Sequence, residues 1–320
     1  MARRVFITGD THQSHDIHKL NSHCFLEGNE LTKDDILIIC GDGGFVWDGS
    51  EEDRFWQGWL DRRPWTTVYV DGNHENFNLL KTYPEVTFMG AKAHKINNSL
   101  YHIERGEVMT INGYTFFCFG GAFSHDVAWR TENISWWQDE LPNQEEVDHG
   151  LDMLDQYNNK VDFIITHDLP DDMSKIIRYD DKDMSIYDHT HIHLGRYLNQ
   201  IYYNTDFKKW FAGHYHINRD VLKITILYND ILEIIDPNTF VRIEDRILNR
   251  TYTKEEIKTI LQEEDLYISY EKIGRKDDFR RGEFISSAED FFLPGVEEEE
   301  LAWVTRMYNA YCAKRYTMED

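Results

Sequence analysis

Ile36-Leu37-Ile38-Ile39-Cys40-Gly41-Asp42-Gly43-Gly44 is the stretch on which the reading of this chain turns. Five consecutive apolar residues, Ile36 to Cys40, predict a strand buried on both faces, as in a parallel sheet covered by other layers. The glycines after it allow a tight turn at the strand's carboxyl end. A single carboxylate, Asp42, stands in that turn. In an open α/β sheet ligands bind outside the carboxyl ends of the strands, so Asp42 sits where chemistry is usually placed.

Four other apolar runs end in the same manner. Val5-Phe6-Ile7-Thr8 leads into Gly9-Asp10-Thr11-His12, and Val68-Tyr69-Val70-Asp71 into Gly72-Asn73-His74-Glu75. Phe163-Ile164-Ile165-Thr166 leads into His167-Asp168, and Trp210-Phe211-Ala212 into Gly213-His214-Tyr215-His216. Each run delivers oxygen or imidazole donors at its exit. One such ending is an ordinary turn; five in one chain describe a site.

In this order the motifs Asp-x-His, Gly-Asp-Gly-Gly, Gly-Asn-His-Glu, Thr-His-Asp and Gly-His-Tyr-His resemble the signature of the calcineurin-like metallophosphoesterase superfamily. The resemblance extends over residues 3 to about 235. Arg105-Gly106-Glu107, Gly120-Gly121-Ala122-Phe123-Ser124 and Trp136-Trp137-Gln138-Asp139-Glu140-Leu141-Pro142 look like a branch of it common in Gram-positive bacteria and their phages. It implies a four-layered α/β/β/α sandwich and hydrolysis of a phosphate ester.

Such hydrolysis needs charge neutralisation on the phosphoryl oxygens, an activated water and a protonated leaving group. Two divalent ions about 3.5 to 4 Å apart supply the first two, and a carboxylate must hold them together, a role we assign to Asp42. The resemblance implies one ion on Asp10, His12, Asp42 and His216 and another on Asp42, Asn73, His167 and His214, with a metal-bound hydroxide as attacking group. Imidazole, carboxylate and amide oxygen together suit Mn, Fe or Zn better than Ca or an all-oxygen Mg site. The family's role for the histidine after the Asn ligand falls on His74, which would stabilise the transition state and protonate the leaving oxygen. Asp71 and Glu75 flank it as candidates to orient its ring.

Two departures argue against a protein Ser/Thr phosphatase. The carboxylate three residues after the bridging Asp is Phe45 here, and the arginine two residues beyond the Gly-Asn-His-Glu motif is Phe77. Asp48 is a candidate substitute for the missing carboxylate. A phosphate grip is expected instead from the middle segment, where Gly120-Gly121 allow close approach and Ser124, His125 and Arg130 follow; Arg130 can clamp a phosphoryl oxygen in two places. Trp136 and Trp137 read as core. The expected substrate is a small phosphomonoester or phosphodiester, nucleotides included. The alternatives are phospho-Ser/Thr in a protein and a non-catalytic scaffold; against the latter, all seven ligand positions are filled.

Composition bounds the rest. The 320 residues are 41% apolar and 14% aromatic, enough for one large core. No run of about 18 apolar residues exists to cross a bilayer, and the first strand begins too early for a leader, so a cytoplasmic protein is expected. Cys24, Cys40, Cys118 and Cys312 are scattered, which suits free thiols. The formal net charge of −24 makes long nucleic acid a poor partner.

Along the chain, helices are predicted from Ser50 to Arg63, which opens on Ser-Glu-Glu-Asp, and from Asn76 to Tyr83. Further ones are predicted over residues 143–157, with Val147, Leu151, Leu154 and Tyr157 on one face, and from His189 to Tyr203. Residues 13–35 read as loop and short helix, with His15, His18 and His23 outside the ligand set; His189, His191 and His193 have a spacing that does not converge on one ion. Strands are predicted at Val86–Met89, Leu100–Glu104, Glu107–Ile111 and Tyr114–Phe119, the last two joined by an Asn112-Gly113 turn. Residues 169–187 read as irregular. Lys223–Tyr228 and Ile231–Ile235 read as a hairpin closing the second sheet. The organisation expected is a metallophosphoesterase domain over 1–245 and an acidic helical extension over 246–320, with helices at Thr253–Glu263 and Glu297–Tyr316.

Overall fold

The computed structural model describes residues 2–22, 24–177 and 191–243. His23, His189 and the extension over 246–320 with its two expected helices lie outside the described residues. The chain divides into two compact units, one of Met1–Gln13 with Leu31–Ile243, the other of Ser14–Glu30 with Glu244–Asp320. In the second unit the described residues form two short 3-10 turns, Ile17–Leu20 and Leu26–Glu30.

The first unit holds two sheets. Strands β1 (Val5–Thr8), β2 (Ile36–Ile39), β3 (Thr66–Tyr69), β4 (Glu85–Phe88), β5 (Ala91–Lys95) and β6 (Leu100–Ile103) belong to the first. Strands β7 (Glu107–Ile111), β8 (Tyr114–Phe119), β9 (Phe163–Thr166), β10 (Lys209–Ala212), β11 (Arg219–Val221) and β12 (Ile224–Ile226) form the second. The chain then returns to the first sheet as β13 (Ile231–Asp236) and β14 (Thr239–Arg242), giving the orders β14-β13-β1-β2-β3-β6-β5-β4 and β11-β12-β10-β9-β8-β7. β1, β2, β3 and β6 run parallel, as do β8, β9, β10 and β12. All four residues of β2 are buried, as a central parallel strand requires.

Side-chain alternation builds the layers. Ile7, Ile36, Ile38 and Val68 from the first sheet meet Phe116, Cys118, Phe163, Ile165 and Phe211 from the second in one apolar core. Phe117, Phe119, Ile164 and Trp210 face the other way, because successive strand residues point to opposite faces. Helix α1 (Glu51–Arg62) lies against β3 and β6 and buries Trp56, Trp59 and Leu60; a short α2 (Phe77–Leu80) follows. Helices α3 (Gln144–Gln156) and α5 (Leu194–Asn204), with the six-residue α4 (Asp171–Ile176) between them, bring Val147, Leu154, Met173, Leu198 and Ile201 to the outer core of the second sheet. Ser50 caps α1 through the Asp53 N–H, and Asn143 and Glu146 make a reciprocal capping box on α3. Among the described residues no helix is long and apolar enough to cross a membrane.

The expected hairpin over 223–235 is corrected. β12 stays in the second sheet, whereas β13 pairs antiparallel with β1 in the first. The Asn218 side-chain oxygen accepts from the N–H groups of Tyr228, Asn229 and Asp230 at 2.8, 3.1 and 3.1 Å, which turns the chain across instead of back. Leu232 and Ile234 then fill the inter-sheet core. β5 was not expected, since Ala-Lys-Ala-His-Lys has few strand formers; its pairing on both sides outweighs propensity. Part of the segment read as irregular is α4, and the helix expected from His189 begins at Leu194.

Candidate metal centre

The exits of β1, β2, β3, β9 and β10 carry the donors. Asp42, His12, His214 and His216 have φ of +47°, +38°, +70° and +49°, a left-handed region that costs a non-glycine residue about 1–3 kcal/mol. Backbone bonds hold the conformation: the N–H groups of Thr11 and His12 both donate to the Asp42 carbonyl, at 3.1 and 2.9 Å. Gly72 and Gly213 pack directly on the carboxylates of Asp42 and Asp10, where any Cβ would overlap them.

Donor atoms converge in three adjacent groups, Asp10 with His12 and His216, His12 with Asp42 and His74, and Asp42 with His167 and His214. His12 Nε2 lies 3.1 Å and His167 Nε2 3.2 Å from Asp42 Oδ2, and His216 Nε2 lies 3.2 Å from Asp10 Oδ2. His167 Nδ1 donates to the Cys40 carbonyl at 2.7 Å, which fixes the ring with Nε2 toward Asp42. In metal-free protein a proton on Nε2 holds that contact, and a divalent cation would take the proton's place. Burial lowers the affinity of His167 for a proton, yet Asp42 and Asp10 outweigh it and push its pKa up to about 9. Burial likewise opposes the charges on Asp10 and Asp42, but His167 and the other imidazoles hold both carboxyls below the usual range.

Asn73 adds an amide oxygen. Its Nδ2 donates to Ser124 Oγ at 3.1 Å, and Ser124 Oγ donates to Glu140 Oε2 at 2.8 Å. That chain decides which end of the amide faces away, and Oδ1 is left buried with no hydrogen-bond partner. Ser124, expected as part of a phosphate grip, instead orients Asn73. The set of four imidazoles, two carboxylates and an amide oxygen, with an unpartnered oxygen among them, fits divalent ions of the Mn, Fe or Zn kind.

His74 faces this group. Its N–H donates to Asp42 Oδ1 at 2.8 Å, and its Nε2 accepts from Arg130 Nη2 at 3.2 Å. Burial first, then His12 and Arg130, lower its pKa to about 4 against the pull of Asp42. Trp47 stacks on the ring at 6.1 Å, and the loop carrying Trp47 is gathered by Asp53 Oδ2, which accepts from the N–H groups of residues 47, 48 and 49. Sequence reasoning missed Trp47 and Asp53, although Ser50 and Asp53 stood in the helix-start signal.

Asp71 does not touch His74: Arg105 Nη2 and His102 Nε2 take its oxygens at 2.6 and 3.1 Å. Glu75 Oε1 accepts from the Gly44 N–H at 3.2 Å. Asp48 accepts from the Ser50 N–H, and the fully buried Phe45 packs edge-on to Tyr69. Gly120 and Gly121 pack on Asp71 and Arg105. His125 is exposed and stacks on His214 at 5.4 Å, at the rim of the donor set. His15 is exposed and His18 half-buried, and neither belongs to a donor group. Trp136 and Trp137 are buried.

The profile of calcineurin-like phosphoesterases matches residues 3–218, and the chain belongs to that family. The family implies divalent ions at the clusters described above. No curated protein matches the sequence. Among solved structures, a Staphylococcus aureus protein provisionally described as a 5'-nucleotidase, in complex with alpha-ketoglutarate, aligns at 12% identity and a TM-score of 0.39. That alignment covers 82% of this chain and 58% of the other.

Proposed function

We propose that the centre takes two divalent ions, manganese, iron or zinc, bridged by Asp42, and that the enzyme hydrolyses a small phosphomonoester or phosphodiester of nucleotide size. The observation that carries this reading is that Asp42 belongs to two donor groups at once, with His74 and Arg130 facing them. Asp10, His12, Asp42 and His216 would hold one ion, and Asp42, Asn73, His167 and His214 the other. When bound, the ions neutralise phosphoryl oxygens and make water a stronger nucleophile.

The chain's own residues supply the rest. Arg130, anchored by Asp126 at 2.7 Å and already donating toward the site, offers further N–H groups to phosphoryl oxygens. A substrate oxygen then takes Arg130's place at His74 Nε2; the ring takes up a proton there from solvent as the phosphoryl charge comes to face it, and passes that proton to the departing ester oxygen. His125 lines the entrance. The acidic surface, −24 in net charge, disfavours long polyanions and favours small substrates. The buried thiol of Cys118 supports a reducing, cytoplasmic setting.

Release of p-nitrophenol from p-nitrophenyl phosphate and bis(p-nitrophenyl) phosphate, with Mn²⁺, Fe²⁺ or Zn²⁺ added, tests the reading. Activity is expected with at least one ion, and inactivity with all of them would overturn it. His74→Ala should lower the rate at least about a hundredfold while bound metal stays constant.

A further inference from the structure

A pocket of about 360 Å³ opens at the β4-β5-β6 edge of the first sheet, lined by Glu85, His94, His102 and Glu104 among others. Ala91 and Ala93 point into the inter-sheet core, so Lys92 and His94 face the other way. Glu85 stands opposite His94 across β4 and β5, and His94 opposite His102 across β5 and β6. One donor atom each from Glu85, His94 and Glu104 lies within 4.8 Å of the other two.

A chain of hydrogen bonds orients the His94 ring. Arg105 donates twice to Asp71 Oδ2, at 2.9 and 2.6 Å, which balances that carboxylate's charge. His102 Nε2 donates to Asp71 Oδ1 at 3.1 Å. Its Nδ1 faces His94 Nδ1 at 3.2 Å, and one hydrogen is shared between the two nitrogens. His94 is 8% exposed, and with that hydrogen on its Nδ1 the ring turns an Nε2 lone pair to the pocket. A histidine whose second nitrogen donates to a fixed partner is how metal-binding imidazoles are oriented.

The carboxylates are equally unspent. Glu104 Oε1 is buried with no hydrogen-bond partner. Burial and the neighbouring Glu85 raise its pKa, the mark of a carboxylate short of positive charge. The pocket's cations are mostly committed, Arg105 to Asp71 and Glu146 and Lys81 to Asp139; Lys92 also lines it.

We propose that Glu85, His94 and Glu104 form a site for one divalent cation of the zinc kind, distinct from the centre around Asp42. One imidazole nitrogen and two carboxylates leave a coordination position for water, as zinc accepts. The ion ties β4, the outermost strand of its sheet, to β5 and β6.

The test counts zinc. Full-length chain stripped with EDTA, reloaded with Zn²⁺ and gel-filtered is compared with Glu85→Gln and Glu104→Gln. Each variant should hold one zinc fewer per chain than its parent. The comparison is repeated in an Asp42→Asn background, so that the result does not depend on the centre at the strand exits or on its activity. Glu85 is exposed, so its substitution leaves folding intact. Equal zinc content in parent and Glu85→Gln, in either background, would overturn the proposal.

Discussion

The donors at the strand exits and those at the sheet edge are built by opposite means. Around Asp42, side chains arrive from five strands in two sheets, and four of the residues adopt left-handed backbone to converge. At the edge, Glu85, His94 and His102 are cross-strand neighbours in a regular antiparallel ladder, and none of them has a positive φ. A ladder places side chains about 5 Å apart at no conformational cost. Convergence from separate strands requires strain, which neighbouring backbone bonds must hold. The strained centre should therefore be the more sensitive to any single change.

The largest effect is expected where two donor groups share one side chain. Asp42→Asn should lower activity by more than the about 10²–10³ typical for loss of one transition-state-stabilising group, because both proposed ions lose a ligand. Metal content after gel filtration should fall with it. Retained metal and activity would show that the shared carboxylate is not what organises the centre.

Next comes the ion pair that joins the two regions. Asp71 follows β3 and precedes Asn73, while its Arg105 partner is 4% exposed and receives no solvent to replace it. Removing one member of a buried pair leaves an uncompensated charge, so Arg105→Met should destabilise the fold by about 3–5 kcal/mol. Urea denaturation measures it. A loss below about 1 kcal/mol would mean that Asp71 finds other compensation, and the hydrogen-bond chain through His102 would then lose its anchor.

A smaller effect is expected at Ser124, which holds the far side of the proposed ligand Asn73 and is itself held by Glu140. Ser124→Ala removes the acceptor for Asn73 Nδ2 and frees the amide to rotate. Metal affinity should drop about 10–100-fold, the range for partners one step outside a coordination sphere. Titration of the metal-free chain reads it.

The strand exits were legible because their cause is local: an apolar run, a glycine, then a donor. What lay beyond was not. Ser124 reaches Asn73 across 51 residues, Arg130 reaches His74 across 56, and no period in the sequence links either pair. The return of β13 to the first sheet escaped because Ile231 to Ile235 carries the same alternation whichever sheet it joins; the Asn218 side chain decides it. β5 has a weak sequence signal and exists through its neighbours. Adjacency makes Asp71 read as a partner for His74, but it lies just past the end of β3 and Arg105 takes its carboxylate.

The finest distinction between the regions is the sign with which their histidines respond to pH in metal-free protein. His167, between two carboxylates, is raised to about 9, so it contributes stability that is complete below its ordinary 6.5 and is lost as pH rises through 9. His94 is lowered to about 4 by burial and by His102. Between pH 4 and 6.5 the unfolded chain binds a proton at residue 94 that the folded chain does not, so stability falls as pH drops through that window. His94→Gln cannot take up that proton. With EDTA present, its urea midpoint should change less than the parent's between pH 6.5 and pH 4.5. An equal or larger change in the variant would mean that His94 is charged in the folded chain, with no lone pair on Nε2 to offer a cation.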